Sequence, residues 1–388
     1  MRLVMTLMVR DEADIIAAML EHHLAQGVDL IMVTDNGSVD GTREILARYE
    51  ATGRVELADD PVHRKQQHAV VSAMARRAFI DHEADWVLNA DADEFFLPVD
   101  RSMTLAEAFR RIPKEIGAFS APVTNLVGPP ARAGSGLRRL TWRDERSDER
   151  LEREAGVHAQ PTPNAVHVGD PRVELSQGNH YSSIESAGEP PEGLAIEVLH
   201  LPWRSWAQFA RKVEHAGLGY AANPDLVPSP RHHGLRDYRF LQAGVLEELF
   251  LYRFPEPAVL GTDSDYTPDA GLPDTLERIL ADGSAVAPDL LEAALADSEP
   301  DYTPEDLARA RQVGAIALAL DRIRTDEILL ERKRYDDRVI ERNERIDELF
   351  AHIAAQDEQR RQIEHGLDAR VGHAVLGPAR WLRGLFRR

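Results

Sequence analysis

The sequence contains no cysteine. This absence excludes disulfide bonds, thiolate metal sites and cysteine nucleophiles, so a bound metal ion must have oxygen or imidazole ligands. The chain also lacks an apolar run near the roughly 20 residues that a membrane-spanning helix needs. Its N-terminal apolar run, Leu3–Val9, is followed at once by Arg10 and not by a signal-cleavage pattern. We therefore expect a soluble, cytoplasmic protein.

Basic residues are few compared with acidic ones. The 388 residues include 46 Lys and Arg against 66 Asp and Glu, which gives a formal net charge of −20. Such a surface repels a phosphate backbone and argues against nucleic acid as a partner. With 43% hydrophobic residues the chain can still bury a large core. Its length suggests a catalytic domain of about 250 residues with additional segments.

Short apolar runs alternate with helical patterns over the first hundred residues. Strands are predicted at 3–9, 30–34, 55–57 and 86–88, and helices from about 16, 42 and 66. Asp11 and Asp14 are expected to cap the first helix, and Gly27 to end it. The alternation predicts an α/β fold, a Rossmann-like and mostly parallel sheet with flanking helices. Ligands of such sheets bind at the carboxyl ends of the strands.

The remainder of the chain is less regular. Strands are predicted at 118–124 and 195–199, and Ser205 with Gln208 forms a capping box for a helix that ends near Gly217. Residues 221–303 read as a helical extension with Pro-rich loops. From 304 to 367 the chain is charged and helical, and heptad spacing predicts a coiled coil that supports a homo-oligomer. Its seam contains Tyr335, Val339, Ile346, Leu349 and Ile353, with Arg342 and Arg360 as polar interruptions.

The C-terminal segment, 368–388, combines apolar residues with arginines and has no acid after Asp368. One interpretation is a basic amphipathic tail in peripheral contact with an anionic membrane. The other is a terminal oligomerisation helix.

Asp91 and Asp93 stand two residues apart at a predicted strand end. In extended backbone, alternate side chains share a face about 6.5 Å apart, so both carboxylates can reach one ion. Mn²⁺ or Mg²⁺, completed by substrate phosphate oxygens, suits this pair. A chance D-x-D is the alternative. Asp263 and Asp265 repeat the spacing without a comparable strand before them, and we interpret that pair as a solvated loop.

Four ordered motifs carry a resemblance to a known family. They are residues 8–14 (MVRDEAD), 22–24 (HHL), 35–42 (DNGSVDGT) and 86–95 (WVLNADADEF). Together they resemble glycosyltransferase family 2, whose members have the GT-A fold. The likeness is strong over residues 1–100 and weaker to about 220. It implies a domain over 1–220, with a nucleotide-sugar half (1–100) and an acceptor half (101–220).

The resemblance also implies roles for individual residues. Thr6 and Asp35 would bind the base and ribose, Asp91 and Asp93 the metal and diphosphate, and His200 the metal as a third ligand. Asp35 could instead cap the turn that contains Gly37. Asp11 and Glu12 are donor-site candidates or helix caps. The family usually has Asn where this chain has Asp11.

Four basic residues are candidates for contact with the donor. Arg64 and Lys65 precede the third helix, where cationic side chains and backbone N–H groups favour an anion, although a solvated helix start is the alternative. Arg204 and Lys212 follow His200 closely and could clamp the diphosphate.

Inverting transfer, which the resemblance implies, requires a base for the acceptor hydroxyl. Many relatives use a Glu-Asp pair, and no such dipeptide occurs between residues 100 and 200. We select His180 over Glu174 and Asp170. The Gln-x-x-Arg-Trp motif of processive synthases is incomplete, because Gly377 occupies the Gln position. Addition of single sugars is therefore predicted.

The sequence thus predicts a metal-dependent hexosyltransferase that uses a UDP- or GDP-type sugar and a glycan or lipid-linked acceptor in polysaccharide synthesis. Two alternatives stay open. One is a sugar-nucleotide nucleotidyltransferase, although residues 1–15 lack its Gly-rich loop. The other is a coiled-coil scaffold with a degenerate GT-A domain.

Overall fold

The computed structural model describes residues 1–61, 67–221, 232–296 and 298–385, with the side chains of 364 and 367–385 left out. The chain forms two compact units, Met1–Asp321 and Arg322–Arg388. Within the described ranges, none of the helices combines the length and the apolar character required to cross a bilayer.

Two sheets organise the first unit. Their strands are β1 (Leu3–Val9), β2 (Leu30–Asp35), β3 (Val55–Asp59), β4 (Trp86–Ala90), β5 (Glu94–Pro98), β6 (Ala118–Ala121), β7 (Val123–Val127), β8 (Trp142–Asp144), β9 (Asn164–Val168), β10 (Ile196–His200) and β11 (Tyr266–Pro268). The first sheet has the order β3-β2-β1-β4-β9-β6, and the second β11-β8-β7-β10-β5. Strands β1 to β4 are parallel, as predicted, whereas β9 and β6 run antiparallel to their neighbours.

Helices of the first unit flank these sheets, and the last helix of the chain runs from the first unit into the second. They are α1 (Ile16–Ala25), α2 (Thr42–Glu50), α3 (Gln67–Ile80), α4 (Leu105–Phe109), α5 (Asp148–Ala155), α6 (Trp206–Ala221), α7 (His233–Gln242), α8 (Leu246–Tyr252), α9 (Gly271–Ala281), α10 (Pro288–Leu295) and α11 (Pro304–Leu385). The predicted mixed α/β class with flanking helices is confirmed.

The first sheet is buried on both faces, as the alternation predicted. Leu3, Met5 and Leu7 of β1 belong to a core that includes α1, whereas the intervening Val4 packs in a second cluster with α3. This alternation follows from the period of two along a strand. Parallel strands covered by helices on both faces leave their carboxyl ends as the accessible edge.

The start of α1 differs from the prediction. The helix begins at Ile16 with Ile15 as N-cap, and no described side chain caps it. Asp11 and Asp14 are instead used elsewhere, as described below. The helix end agrees with expectation, because Gly27 follows it with a φ of 84°.

One predicted strand, 118–124, is two strands that belong to different sheets. Strand β6 pairs with β9, and β7 pairs with β10 and β8. Pro122 lies between them, and a proline cannot donate to a ladder, which marks the transfer point. The segment 221–303 is also not purely helical, because its β11 pairs with β8.

Helix α11 is continuous to Leu385, and its predicted seam residues Tyr335, Ile346, Leu349 and Ile353 are exposed in this single chain. Pairing with a second copy stays a prediction. The tail side chains, and all of 386–388, lie outside the described residues.

Candidate active site

A cavity of about 210 Å³ opens at the carboxyl ends of β1 and β4. Acidic residues come from the β1–α1 loop and from the end of β4, and basic residues come mainly from α6. The lining residues are Met8, Val9, Arg10, Asp11, Glu12, Gln67, Asp91, Ala92, Asp93, Gln208, Arg211, Lys212 and His215. The strand-end rule therefore located the cavity correctly.

Backbone hydrogen bonds fix the β1–α1 loop against the loop after β2. Asp11 N–H donates to Ser38 Oγ (2.9 Å) and Glu12 N–H donates to Thr42 Oγ1 (2.8 Å). Asp11 has a φ of 56°, a left-handed conformation that Asn and Asp tolerate best. Its Oδ1 accepts from Val39 N–H (2.7 Å), while Oδ2 lies 3.3 Å from Nδ1 of His215.

Asp93 is surrounded by basic side chains. Its Oδ2 lies 2.7 Å from Lys212 Nζ and 3.4 Å from Arg204 Nη1, and the carboxylate is only 2% exposed. Burial alone would raise the pKa of Asp93, but Lys212 and the other basic groups hold it well below its usual range. Asp93 is therefore a permanent anion.

Asp91 has a different environment. Its Oδ1 accepts hydrogen bonds from Gln67 Nε2 (2.8 Å) and Asn179 Nδ2 (3.3 Å). Burial and the neighbouring Asp93 charge raise the pKa of Asp91. Two carboxylates that share one site thus have unequal affinities for protons.

His200 faces Asp93 from the end of β10. Its Nδ1 forms a 2.9 Å hydrogen bond with Asn125 Oδ1, and its Nε2 lies 3.6 Å from Asp93 Oδ1. Because an amide oxygen only accepts, Nδ1 carries a proton, and in the neutral ring the lone pair is then on Nε2. In that state Nε2 and the Asp93 oxygen are both available as ligands of one cation, whereas a protonated ring would pair with Asp93 directly.

These donors fit a divalent ion. Two ligands of one ion at about 2.1 Å are about 3.0 Å apart at right angles and about 4.2 Å apart on opposite sides, which brackets the observed separation. The described residues contain no group of three or more His, Asp or Glu side chains arranged to hold a metal. Additional ligands would have to come from water or from a bound phosphate.

The site is also short of positive charge. Four carboxylates line the cavity, those of Asp11, Glu12, Asp91 and Asp93, against the three permanent cations Arg10, Arg211 and Lys212. Burial raises the pKa of Glu12 to about 7 in spite of the Arg204 charge. Burial is the main cause of this rise and the Asp93 charge adds to it, so a nearby divalent cation would favour the ionised form of Glu12.

Arg204 does not line the cavity. Its side chain is fully buried and bonds to Asp14 (Nε to Oδ2, 2.8 Å), to Glu12 and to Asp93. The expectation of a direct diphosphate contact by Arg204 therefore does not match its position, whereas Lys212 lines the cavity. The guanidinium connects the β1–α1 loop to the end of β4.

Two further predicted donor contacts lie away from the cavity. Thr6 is fully buried inside β1, three residues before the strand ends, and its hydroxyl donates to Asn89 Oδ1 (2.7 Å). This position argues against a donor contact by Thr6. Asp35 ends β2 and accepts through Oδ2 from the N–H groups of Gly37 and Ser38, both at 3.1 Å. Asp35 thus caps the turn through Oδ2, while its buried Oδ1 has no partner among the described residues, and a donor contact by Asp35 stays a prediction.

His180 lies near Asp91, next to Asn179. Burial lowers the pKa of His180, and the Asp91 charge partly offsets this effect. Of its two competitors, Glu174 is exposed and pairs with Arg76, and Asp170 is partly buried and accepts from Arg172 N–H. Arg64 and Lys65 lie outside the described residues.

Sequence reasoning missed the wall formed by α6. Gln208, Arg211 and His215 line the cavity beside Lys212. A polar stripe at spacings of three and four on this helix was the available signal. The predicted capping box is only half formed, since Gln208 N–H donates to Ser205 Oγ (3.3 Å) while Gln208 Oε1 has no partner in the described ranges.

The second D-x-D pair is structurally distinct. Asp263 and Asp265 both bind Arg150, at 2.5 and 2.6 Å. They thus form ion pairs and are not simply solvated, and the arginine occupies the position that a metal would need.

Comparisons with known proteins agree with this picture at a coarse level. Residues 4–125 match Glycosyltransferase family 92. No curated protein sequence matches the chain. Among solved structures, residues 1–349 of TarS from S. aureus, also solved in complex with UDP, are 13% identical, with 81% of this chain and 90% of that chain covered and a TM-score of 0.33.

Glucosyl-3-phosphoglycerate synthase from Mycobacterium tuberculosis, in complex with Mn²⁺, UDP and glucosyl-3-phosphoglycerate, is 17% identical over 43% of this chain and 56% of that chain, with a TM-score of 0.22. The family match covers less than half of the chain, and the predicted membership of family 2 is not confirmed. The match supports an enzyme of the glycosyltransferase class, which is the class that the sequence predicted.

Proposed function

We propose that the protein transfers a sugar from a nucleotide-diphosphate donor to a glycan or lipid-linked acceptor with the help of Mn²⁺ or Mg²⁺. The observation that carries this proposal is the facing pair of His200 Nε2 and Asp93 Oδ1, which lie 3.6 Å apart. Asp93 lines the cavity, where carboxylates outnumber arginine and lysine side chains. The glycosyltransferase match over residues 4–125 supports the same chemistry.

Asp91, Asp93 and His200 would hold the ion. When bound, it neutralises negative charge on the leaving diphosphate. Asp93 is suited to this role because it stays ionised. Asp91 is suited because Gln67 and Asn179 both donate to its Oδ1, so neither of these hydrogen bonds involves Oδ2. The amides of Gln67 and Asn179 orient the Asp91 carboxylate.

Lys212 is the proposed direct contact for the diphosphate, since it lines the cavity and reaches Asp93. Arg204 has an indirect role in this proposal, because its buried guanidinium fixes Glu12, Asp14 and Asp93 relative to one another. Gln208 and His215 of the α6 wall would orient the donor.

His180 is the proposed base for the acceptor hydroxyl in an inverting, single-sugar transfer. A histidine with a lowered pKa is neutral near pH 7 and can accept a proton. Gly178 is packed close to the His180 ring, so a side chain at 178 would displace the imidazole.

Calorimetry of UDP and GDP binding, each with and without Mn²⁺, tests the function. We expect one nucleotide to bind in a Mn²⁺-dependent manner and the double variant Asp91→Asn/Asp93→Asn to weaken that binding by at least about tenfold. Asp263→Asn/Asp265→Asn is the matched control, with the same spacing and the same charge change, and should bind like the wild type. Unchanged Mn²⁺ and nucleotide affinity in the first double variant would refute the proposal.

A further inference from the structure

The ring of His200 is held by a residue from a neighbouring strand. Strands β7 and β10 are parallel, and their register places Asn125 opposite His200. On its other side, β10 pairs with β5, with His200 opposite Glu94. The end of β10 is thus fixed between the strand that carries Asn125 and the strand that directly follows Asp93.

Asn125 is 4% exposed, and its Oδ1 accepts the 2.9 Å hydrogen bond from His200 Nδ1. The bond determines which ring nitrogen is protonated. Without it, a neutral imidazole could place its proton on Nε2 and donate to Asp93 Oδ1. That hydrogen bond would occupy Nε2 of His200 and Oδ1 of Asp93, the two atoms that would otherwise bind the cation.

We propose that Asn125 is a positioning residue for the divalent metal: it holds His200 in the tautomer whose Nε2 lone pair faces Asp93. This inference rests on the proposed function, because it assigns a metal to that pair. Partners of this kind orient ligand histidines and raise their basicity, and their loss typically costs about 10- to 100-fold in metal affinity. Asn125 does not line the cavity, so it acts through His200 and not on a substrate.

Two substitutions separate this role from simple packing. Asn125→Leu removes the acceptor at similar volume, whereas Asn125→Asp retains an oxygen acceptor. Binding of Mn²⁺ is measured from the loss of the free-ion electron paramagnetic resonance signal, with Mn²⁺ alone and again with UDP. We expect Asn125→Leu to lower the Mn²⁺ affinity about 10- to 100-fold and Asn125→Asp to retain it. Nitrogen-15 spectra of labelled histidine should show His200 protonated on Nδ1 in the wild type and on Nε2 in Asn125→Leu.

A double-mutant cycle with His200→Ala provides the control. If Asn125 acts through His200, Asn125→Leu has no further effect on Mn²⁺ affinity once His200 is alanine. Thr124→Val, on the same strand, reports non-specific damage, and thermal unfolding checks that each variant folds. Equal Mn²⁺ affinity in Asn125→Leu and wild type, or equal losses in Asn125→Leu and Asn125→Asp, would overturn the inference. Absence of Mn²⁺ binding by the wild type would instead refute the proposed function.

Discussion

Nε2 of His200, at the end of β10, and Oδ1 of Asp93, in the turn between β4 and β5, face each other at 3.6 Å, although the two residues lie more than a hundred positions apart in the sequence. Both atoms are hydrogen-bond acceptors when His200 is neutral and donates through Nδ1 to Asn125. In that state the two atoms are close enough to be ligands of one cation, and several measurable properties depend on the charged groups around them.

Lys212→Met should separate metal binding from diphosphate binding. The Lys212 ammonium lies 2.7 Å from Asp93 and competes for the carboxylate with any metal ion. We expect affinity for Mn²⁺ alone to rise several-fold and affinity for the Mn²⁺–nucleotide pair to fall at least about tenfold, since a unit charge facing a phosphate contributes more than about 1 kcal/mol in a partly buried site. Calorimetry measures both. Arg211→Met, in the same cavity wall, is the control for general loss of positive charge, and equal effects in the two variants would contradict this account.

His180→Asn should lower kcat by about 100-fold or more while leaving donor affinity unchanged, because a general base contributes to the chemical step. Since burial lowers the pKa of His180 below 6.5, the base stays neutral at that pH. The acid limb of the kcat/KM profile should therefore lie below pH 6.5. Glu174→Gln and Asp170→Asn are the controls, and a larger loss in either than in His180→Asn would reassign the base.

Stability should decrease in mild acid because of buried neutral histidines. Burial lowers the pKa of His22 and of His167 to about 4 from 6.5. The unfolded chain therefore binds these protons first as the pH falls, so stability is complete above about pH 7 and decreases between about pH 6.5 and 4. At pH 5 each histidine should cost about 2 kcal/mol.

Urea unfolding at pH 7.5 and pH 5 measures this loss, and His22→Gln is the matched variant. A glutamine amide can still donate to Phe96 O, the acceptor that His22 Nε2 uses at 2.8 Å. The difference in unfolding free energy between the two pH values should shrink in His22→Gln. An unchanged difference would exclude His22 as a source of the acid sensitivity.

Glu21 should be a strong determinant of stability. Its buried carboxylate accepts from Tyr49 Oη (2.9 Å) and from the N–H groups of Val286 (2.9 Å) and Ala287 (2.7 Å), at the start of α10. Glu21→Gln replaces one acceptor oxygen by a donor that faces another donor, which should cost about 2–3 kcal/mol of unfolding free energy. Denaturant titration measures it, and exposed Glu44→Gln should change stability by less than about 0.5 kcal/mol.

The features of the fold and of the candidate site that depend on short-range patterns could be predicted from the sequence. The period of two in β1 and the strand-end positions of Asp91 and Asp93 follow from short-range rules, and the structure brings both aspartates to the expected edge. The partnership of His200 with Asn125 depends on the register between two strands about 75 positions apart, which no local pattern encodes. Arg204 was expected at the cavity because its charge suits a phosphate. Its guanidinium instead forms ion pairs with three carboxylates and is fully buried.

The position of Arg204 also limits how the protein can be divided. Residues 4–125, the part that matches Glycosyltransferase family 92, supply Glu12, Asp14 and Asp93, whereas the Arg204 guanidinium that forms ion pairs with all three comes from outside this segment. A truncated protein that ended at residue 125 would leave those acids to repel one another. The family-like segment therefore contains only part of this charged cluster, so a transfer of the segment to another protein would have to include Arg204, which lies just before α6.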